Sequence, residues 1–268
     1  FVLVEARVPD PMVPLDLFRA RNFTAANLTT LFVYLALYGM TFFLVIYLQN
    51  IAGYSPLQAG LVLAPMSAIM LVLSPQMGRL AGSHGPRLFM AAGPLACAAG
   101  LLLLLRVGPD SSYWTEVLPA VVVFGLGLSA TVAPLTDTAI SSVPDRHTGV
   151  AAAFNNAVSR VAALLAVAGL GVVVTVTFRA AVDQRTTGLS LSPQAQHVID
   201  QAAEDPTGAV DRSALPEQAV TAVDLAYTEA FHRVLIAGAV SAAAGGVVAF
   251  ALVRRREDER HAGRRSRR

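Results

Sequence analysis

Two ionisable side chains, Arg160 and Asp137, lie inside stretches that are otherwise apolar. Arg160 is eleven residues into a stretch that begins at Gly149. At 1.5 Å of rise per residue in a helix, that is roughly 16 Å along the axis. Asn156 precedes it by four residues, one turn earlier on the same face. An arginine so placed can hold an anionic group, pair with a carboxylate, or tie two helices together through carbonyl oxygens. Asp137 is four residues from the end of its own stretch at Ser141, roughly 6 Å deep. It can carry a proton, or reach back to the interface. Gln49, at the end of the first stretch, either lines a vestibule or simply ends a helix.

Other chemistries find no footing. The five histidines, His84, His147, His197, His232 and His261, are scattered without metal-ligand spacing. All 20 basic residues are arginine, so a phosphate-binding loop with its lysine is excluded. No Ser/His/Asp arrangement is suggested. The expectation is a protein that is not an enzyme, with no cofactor and no metal. Cys97, alone in the chain, cannot form a disulfide within it.

The elements that must position these residues are six apolar stretches: Asn27 to Leu48, Leu57 to Met77, Leu88 to Leu105, Val117 to Ser141, Gly149 to Val176 and Val234 to Val253. Each is close to the roughly 20 residues a helix needs to cross a bilayer. Hydrophobic residues make up 54% of the chain and charged residues 14%, against about 25% charged in a typical soluble domain. Mean hydropathy is +0.56. The chain is therefore expected to be an all-α polytopic membrane protein. Small residues recur inside the stretches, as at Gly93, Gly100, Gly125, Gly127, Gly169 and Gly171. They allow close helix contact and predict one compact bundle.

Charge predicts orientation. The tail 254–268 carries eight arginines and is expected in the cytoplasm. The loops holding Arg79 with Arg87, and Arg146, then fall on the same side, as does the lead-in through residue 22. Both ends are cytoplasmic on this reading. The long segment 177–233 falls outside and is net acidic. Ser55-Pro56-Leu57-Gln58 reads as a capping box with proline in the first helical turn. Ser192-Pro193 and Pro216-Glu217 are two further helix starts, so 177–233 is either a helical cap or an unstructured connector. The basic tail is expected to meet anionic lipid rather than nucleic acid.

The run Tyr47-Leu48-Gln49-Asn50-Ile51-Ala52-Gly53-Tyr54-Ser55-Pro56-Leu57-Gln58-Ala59-Gly60-Leu61, with Pro65 after it, resembles the major facilitator superfamily. Within that superfamily it is similar to the fourteen-span drug:proton antiporters at the junction of spans nine and ten. Pro14 to Phe23 resembles the approach to span nine. Ser142-Val143-Pro144 followed by Gly149, Asn155 and Arg160 resembles the junction of spans twelve and thirteen. The resemblance implies a six-helix bundle forming one half of a major facilitator fold. It also implies a missing N-terminal half as partner. Phe1 to Val4 reads as the last turn of a preceding helix, and the alternative is a complete short protein.

The implied function is proton-coupled efflux of small amphipathic or drug-like molecules across the cell membrane by alternating access. Gly78 to Arg87 resembles the superfamily's cytoplasmic gating loop, with Gly78, Gly85 and Arg87 matching the pattern. Gly82 stands where aspartate is usual and Ser83 where a basic residue is usual. The other reading of this loop is a tight turn whose Arg79 and Arg87 serve topology. The family also places an arginine at Arg160; Ala162-Ala163 replaces the glycine pair that normally follows. Two other classes stay open: a six-span permease subunit driven by a separate ATPase, and a membrane scaffold or sensor.

The orientation is checked by introducing single cysteines at Ser190 and Ser266. A membrane-impermeant thiol reagent applied to intact cells should label Ser190→Cys and spare Ser266→Cys. Labelling of Ser266→Cys would reject the assignment.

Overall fold

A computed structural model describes residues 14–189, 191–208 and 210–253. The expected end of a preceding span, the lead-in before Pro14 and the basic tail 254–268 lie outside the described residues. Among the described residues every regular element is helical. The longer ones are α1 (Arg21–Asn50), α2 (Pro56–Leu61), α3 (Ala64–His84), α4 (Pro86–Leu103), α5 (Leu118–Ser141), α6 (Thr148–Thr186), α7 (Pro193–Glu204) and α8 (Glu217–Leu252). With α2 and α3 forming one interrupted span, six helical segments are long and apolar enough to cross a membrane. In hydrocarbon a backbone must satisfy its own polar groups, and helices do so within each segment.

Local chemistry sets the boundaries. Gln58 N donates to Ser55 Oγ at 3.3 Å, and Ser55 N donates to Gln58 Oε1 at 2.9 Å, which completes the capping box of α2. Pro65, in the first turn of α3, has no amide to donate backward, and the chain turns between α2 and α3 just before it. Ser192 caps α7 by accepting from Ala195 N at 3.1 Å. Gly85 joins α3 to α4 at φ +91°, a conformation that a side chain disfavours.

Close backbone approach builds the bundle. A Cβ on Gly93 would lie 2.7 Å from Gly127 O and would overlap Thr131 Oγ1. One on Gly127 would lie 2.6 Å from both Gly93 O and Cys97 N. These glycines press α4 against α5. Gly246 brings α8 onto α4 at Ala91, Gly245 brings it onto α1, and Gly238 faces Leu101 of α4 as well as Ala36 of α1. Ser241 Oγ donates to Phe32 O at 2.9 Å across the α1–α8 contact. Around Gly169 and Gly171 of α6, by contrast, an added Cβ would meet nothing within 4 Å. Coverage is correspondingly uneven. Only 17% of the most apolar section of α2–α3 and 28% of that of α6 is buried, against 44–56% in the other four spans.

The apolar stretch that ends at Val176 does not end its helix. α6 has 39 residues and α8 has 36, roughly 58 and 54 Å long. Both exceed the roughly 30 Å hydrocarbon core. Their extensions pack with α7, so the segment 177–233 is largely a helical cap. Phe178, Val182, Ile199, Ala219 and Val223 continue the core of the bundle into it without a gap. Arg185 pairs with Glu229 at 2.8 Å, joining α6 to α8. Arg212 pairs with Asp224 at 2.7 Å and also bonds Asn50 O at the end of α1. Asn50 Nδ2 donates to Gly208 O at 3.1 Å. After α7, Thr207 donates to Asp205 Oδ1 from both Oγ1 and N, holding that carboxyl below the usual carboxylate range.

The glycine contacts yield a stability test. Gly93→Ala or Gly127→Ala forces α4 from α5 and should cost about 1–3 kcal/mol. Gly169→Ala fills open space and should cost nothing. Thermal midpoints of the purified protein in detergent separate these cases. Equal tolerance at all three positions would contradict the packing.

Candidate functional site

α6 carries Arg160 and Asn156 on an exposed face, amid Val161, Leu164 and Leu165, which are exposed too. Helical spacing puts the two polar residues one turn apart, since α6 runs unbroken from Thr148. The Arg160 guanidinium makes no hydrogen bond or ion pair with any described residue. Among the described residues, Arg160 thus makes no carbonyl tie between helices. Asp137 is exposed near the end of α5. No ion pair joins it to Arg160; the pairs among the described residues are Arg19–Asp16, Arg185–Glu229 and Arg212–Asp224. Gln49 is partly buried and donates to Val45 O at 3.3 Å, a bond within its own helix.

The α3–α4 loop does structural work. A Cβ on Gly78 would lie 3.3 Å from Ala133 Cβ, so α3 and α5 lie close there. Arg79 is exposed. Arg87 Nε donates to Phe250 O at 2.8 Å, and its guanidinium lies 4.5 Å from the centre of the Phe250 ring. Arg21, at the start of α1, donates to Leu252 O and Ala251 O, both at 2.9 Å. Two arginines from two other helices thereby donate to three carbonyls in the last turn of α8, where a helix runs short of its own amides. Both also complement the negative end of that helix. Gly82 has open space around it.

One polar cluster was not singled out from sequence. Asn155, adjacent to Asn156, is buried between α6 and α1. Its Nδ2 donates to Thr30 Oγ1 at 2.7 Å and to Asn27 Oδ1 at 3.1 Å. Asn27 and Thr30 are themselves buried, and each donates back to its own helix, to Phe23 O and Ala26 O. The available signal was the spacing of Asn27 and Thr30, which puts two polar residues on one face of an apolar helix. A matching asparagine on a neighbouring helix is what such a face needs in a low dielectric.

Residues 4–167 match the family model described as Major Facilitator Superfamily, over more than half of the chain. The chain belongs to the Major Facilitator Superfamily. It is 32% identical over 199 residues to a multidrug resistance protein of Mycobacterium tuberculosis, covering 74% of this chain and 37% of that protein. It is 36% identical over 178 residues to a puromycin resistance protein of Streptomyces alboniger, covering 65% and 35%. It is 32% identical over 172 residues to a tetracenomycin C resistance and export protein of Streptomyces glaucescens, covering 64% and 32%. The chain spans about a third of the length of these curated relatives. As a superfamily member with six apolar helices it is a multi-pass membrane protein of the transporter class.

Proposed function

We propose that this chain is the C-terminal six-helix half of a proton-coupled efflux transporter for small amphipathic or drug-like molecules. Its partner on this reading is the N-terminal half of the same transporter, and both of its ends face the cytoplasm of the cell membrane. The observation that carries the reading is the exposure of Arg160 and Asn156 on α6, one of the two least covered spans. A charged side chain at membrane depth costs several kcal/mol unless it meets water or a partner. A face that carries, within the span, a guanidinium with no partner among the described residues is unsuited to lipid. It suits a polar path shared with a second bundle, which rocks against this one around a site near the midplane.

The names of the relatives supply the direction of transport and the class of cargo. In this reading Arg160 and Asn156 line the path, Asp137 carries a proton near its cytoplasmic mouth, and Gln49 stands at its outer mouth. Gly78, Arg79, Gly85 and Arg87 form the cytoplasmic turn. Arg87 holds α8 there, so gating through this loop would act on α8 as well as on α3.

Substitutions in the full-length transporter test the assignment. Arg160→Ala should leave abundance near normal and lower efflux roughly thirtyfold, the effect of losing about 2 kcal/mol of charge contact. Arg160→Lys, which keeps charge but loses the planar fork, should fall between. Asn155→Ala should behave differently. It strands buried polar atoms on α1, at about 1–3 kcal/mol of stability, so abundance and thermal midpoint drop with efflux. Efflux left intact by Arg160→Ala, or lost only in proportion to abundance, would refute the role given to Arg160.

A further inference from the structure

Where α3 turns into α4, a cleft of about 130 Å³ opens to the surface. Its lining is His84, Gly85, Arg87, Leu88 and Phe250, with no acidic residue among them. The turn joins two membrane-crossing helices, and α8 ends beside it, so the cleft lies at the level of the lipid headgroups. One wall of it is built of donors. Arg87 spends Nε on Phe250 O, while its Nη groups make no hydrogen bond to any described residue. A guanidinium has five N–H donors in all. α4 starts from Gly85 with no side-chain cap. The first-turn amides are therefore left for an outside acceptor, at the positive end of the helix.

The other wall is apolar and continues along the bundle. Leu88 is 55% exposed and Phe250 54%. Further along the same two helices Leu95 is 49% exposed and Val247 63%. At that level Gly246 lets the backbones approach, since a Cβ there would lie 2.9 Å from Ala91 O and 3.2 Å from Leu95 Cγ. A shallow apolar strip thus runs from the cleft along the α4–α8 seam toward the middle of the bilayer. A free anion would use only the donors, and a purely apolar partner would use only the strip. A lipid with an anionic headgroup uses both walls.

We propose that the cleft binds an anionic phospholipid. Its phosphate meets the Arg87 Nη groups and the first amides of α4, and one acyl chain lies over Leu88, Phe250, Leu95 and Val247. Gly85 and Arg87 also belong to the cytoplasmic turn of the proposed transport path, but lipid retention is read apart from efflux, so the two readings fail separately. The cleft's occupant would add negative charge beside the arginine that holds α8, and so strengthen the joint between α4 and α8.

Native mass spectrometry of the purified full-length protein with equal phosphatidylglycerol and phosphatidylcholine tests this. The first retained lipid should favour phosphatidylglycerol by about fivefold, the scale expected of one basic residue at a membrane surface. Arg87→Gln should bring the ratio near parity. Because that change also uncaps α8, His84→Glu serves as the second variant. It sets a negative charge in the cleft, leaves the Arg87 bonds in place, and should also abolish the preference with no loss of monodispersity. Arg79→Gln, at the same end but outside the lining, should keep it. No preference in the wild type, or a preference untouched by His84→Glu, would overturn the proposal. So would loss of bound phosphatidylglycerol to inorganic phosphate alone, which would make the occupant a free anion, or a protein dimer formed in place of the lipid adduct.

Discussion

The backbone contact of Gly93 with Gly127 is the interaction around which the other helices are arranged. Lipid tails are as apolar as leucine, so burying apolar side chains does not by itself drive membrane helices together. Close contact must supply the attraction, and only a missing side chain permits it here, where a Cβ would sit 2.6 Å from a carbonyl. Once α4 and α5 are joined, α8 docks on α4 through Gly246 and on α1 through Gly245, and α3 lies on α5 at Gly78 and Gly125. Packing is thereby concentrated on one side. α3 and α6 are left as the thinly covered pair, and α6 presents Arg160 where no described residue partners it.

The two ends of the bundle are held by different means. At one, arginines from α1 and α4 grip the last carbonyls of α8. At the other, the extended ends of α6 and α8, with α7, form a helical cap whose apolar core is continuous with that of the spans. Arg185–Glu229 and Arg212–Asp224 stitch that cap, and Arg212 also takes in the end of α1. Such ties between α1, α6 and α8 favour motion of these helices as one body. Among the described residues α3 has no comparable tie, and its coverage is the lowest of the spans.

Much of this was legible from residue order. The six spans follow from apolar length, and the family follows from the run between Tyr47 and Leu61. The capping box at Ser55 was readable because its residues are three apart and its partners are local. What was not readable depended on distant partners. The roles of Arg21 and Arg87 rest on carbonyls of residues more than 160 positions away. Asn155 and Asn156 look alike in sequence, and only the packing of α6 against α1 turns the first inward and the second outward. The end of α6 was hidden because hydropathy falls at Val176 while helix formation continues; α7 and α8 supply the apolar cover that the membrane no longer gives.

The central claim is that the exposed face of α6 borders a polar path rather than lipid. It is tested most directly by comparing the water accessibility of Asn156→Cys and Val247→Cys in the full-length protein in native membranes. Both positions are exposed on this bundle, but only the first belongs to the proposed path. A hydrophilic maleimide should label Asn156→Cys, with labelling slowed by transported substrate, and should leave Val247→Cys unmodified. If Asn156→Cys is as unreactive as Val247→Cys, that face meets lipid and the account fails.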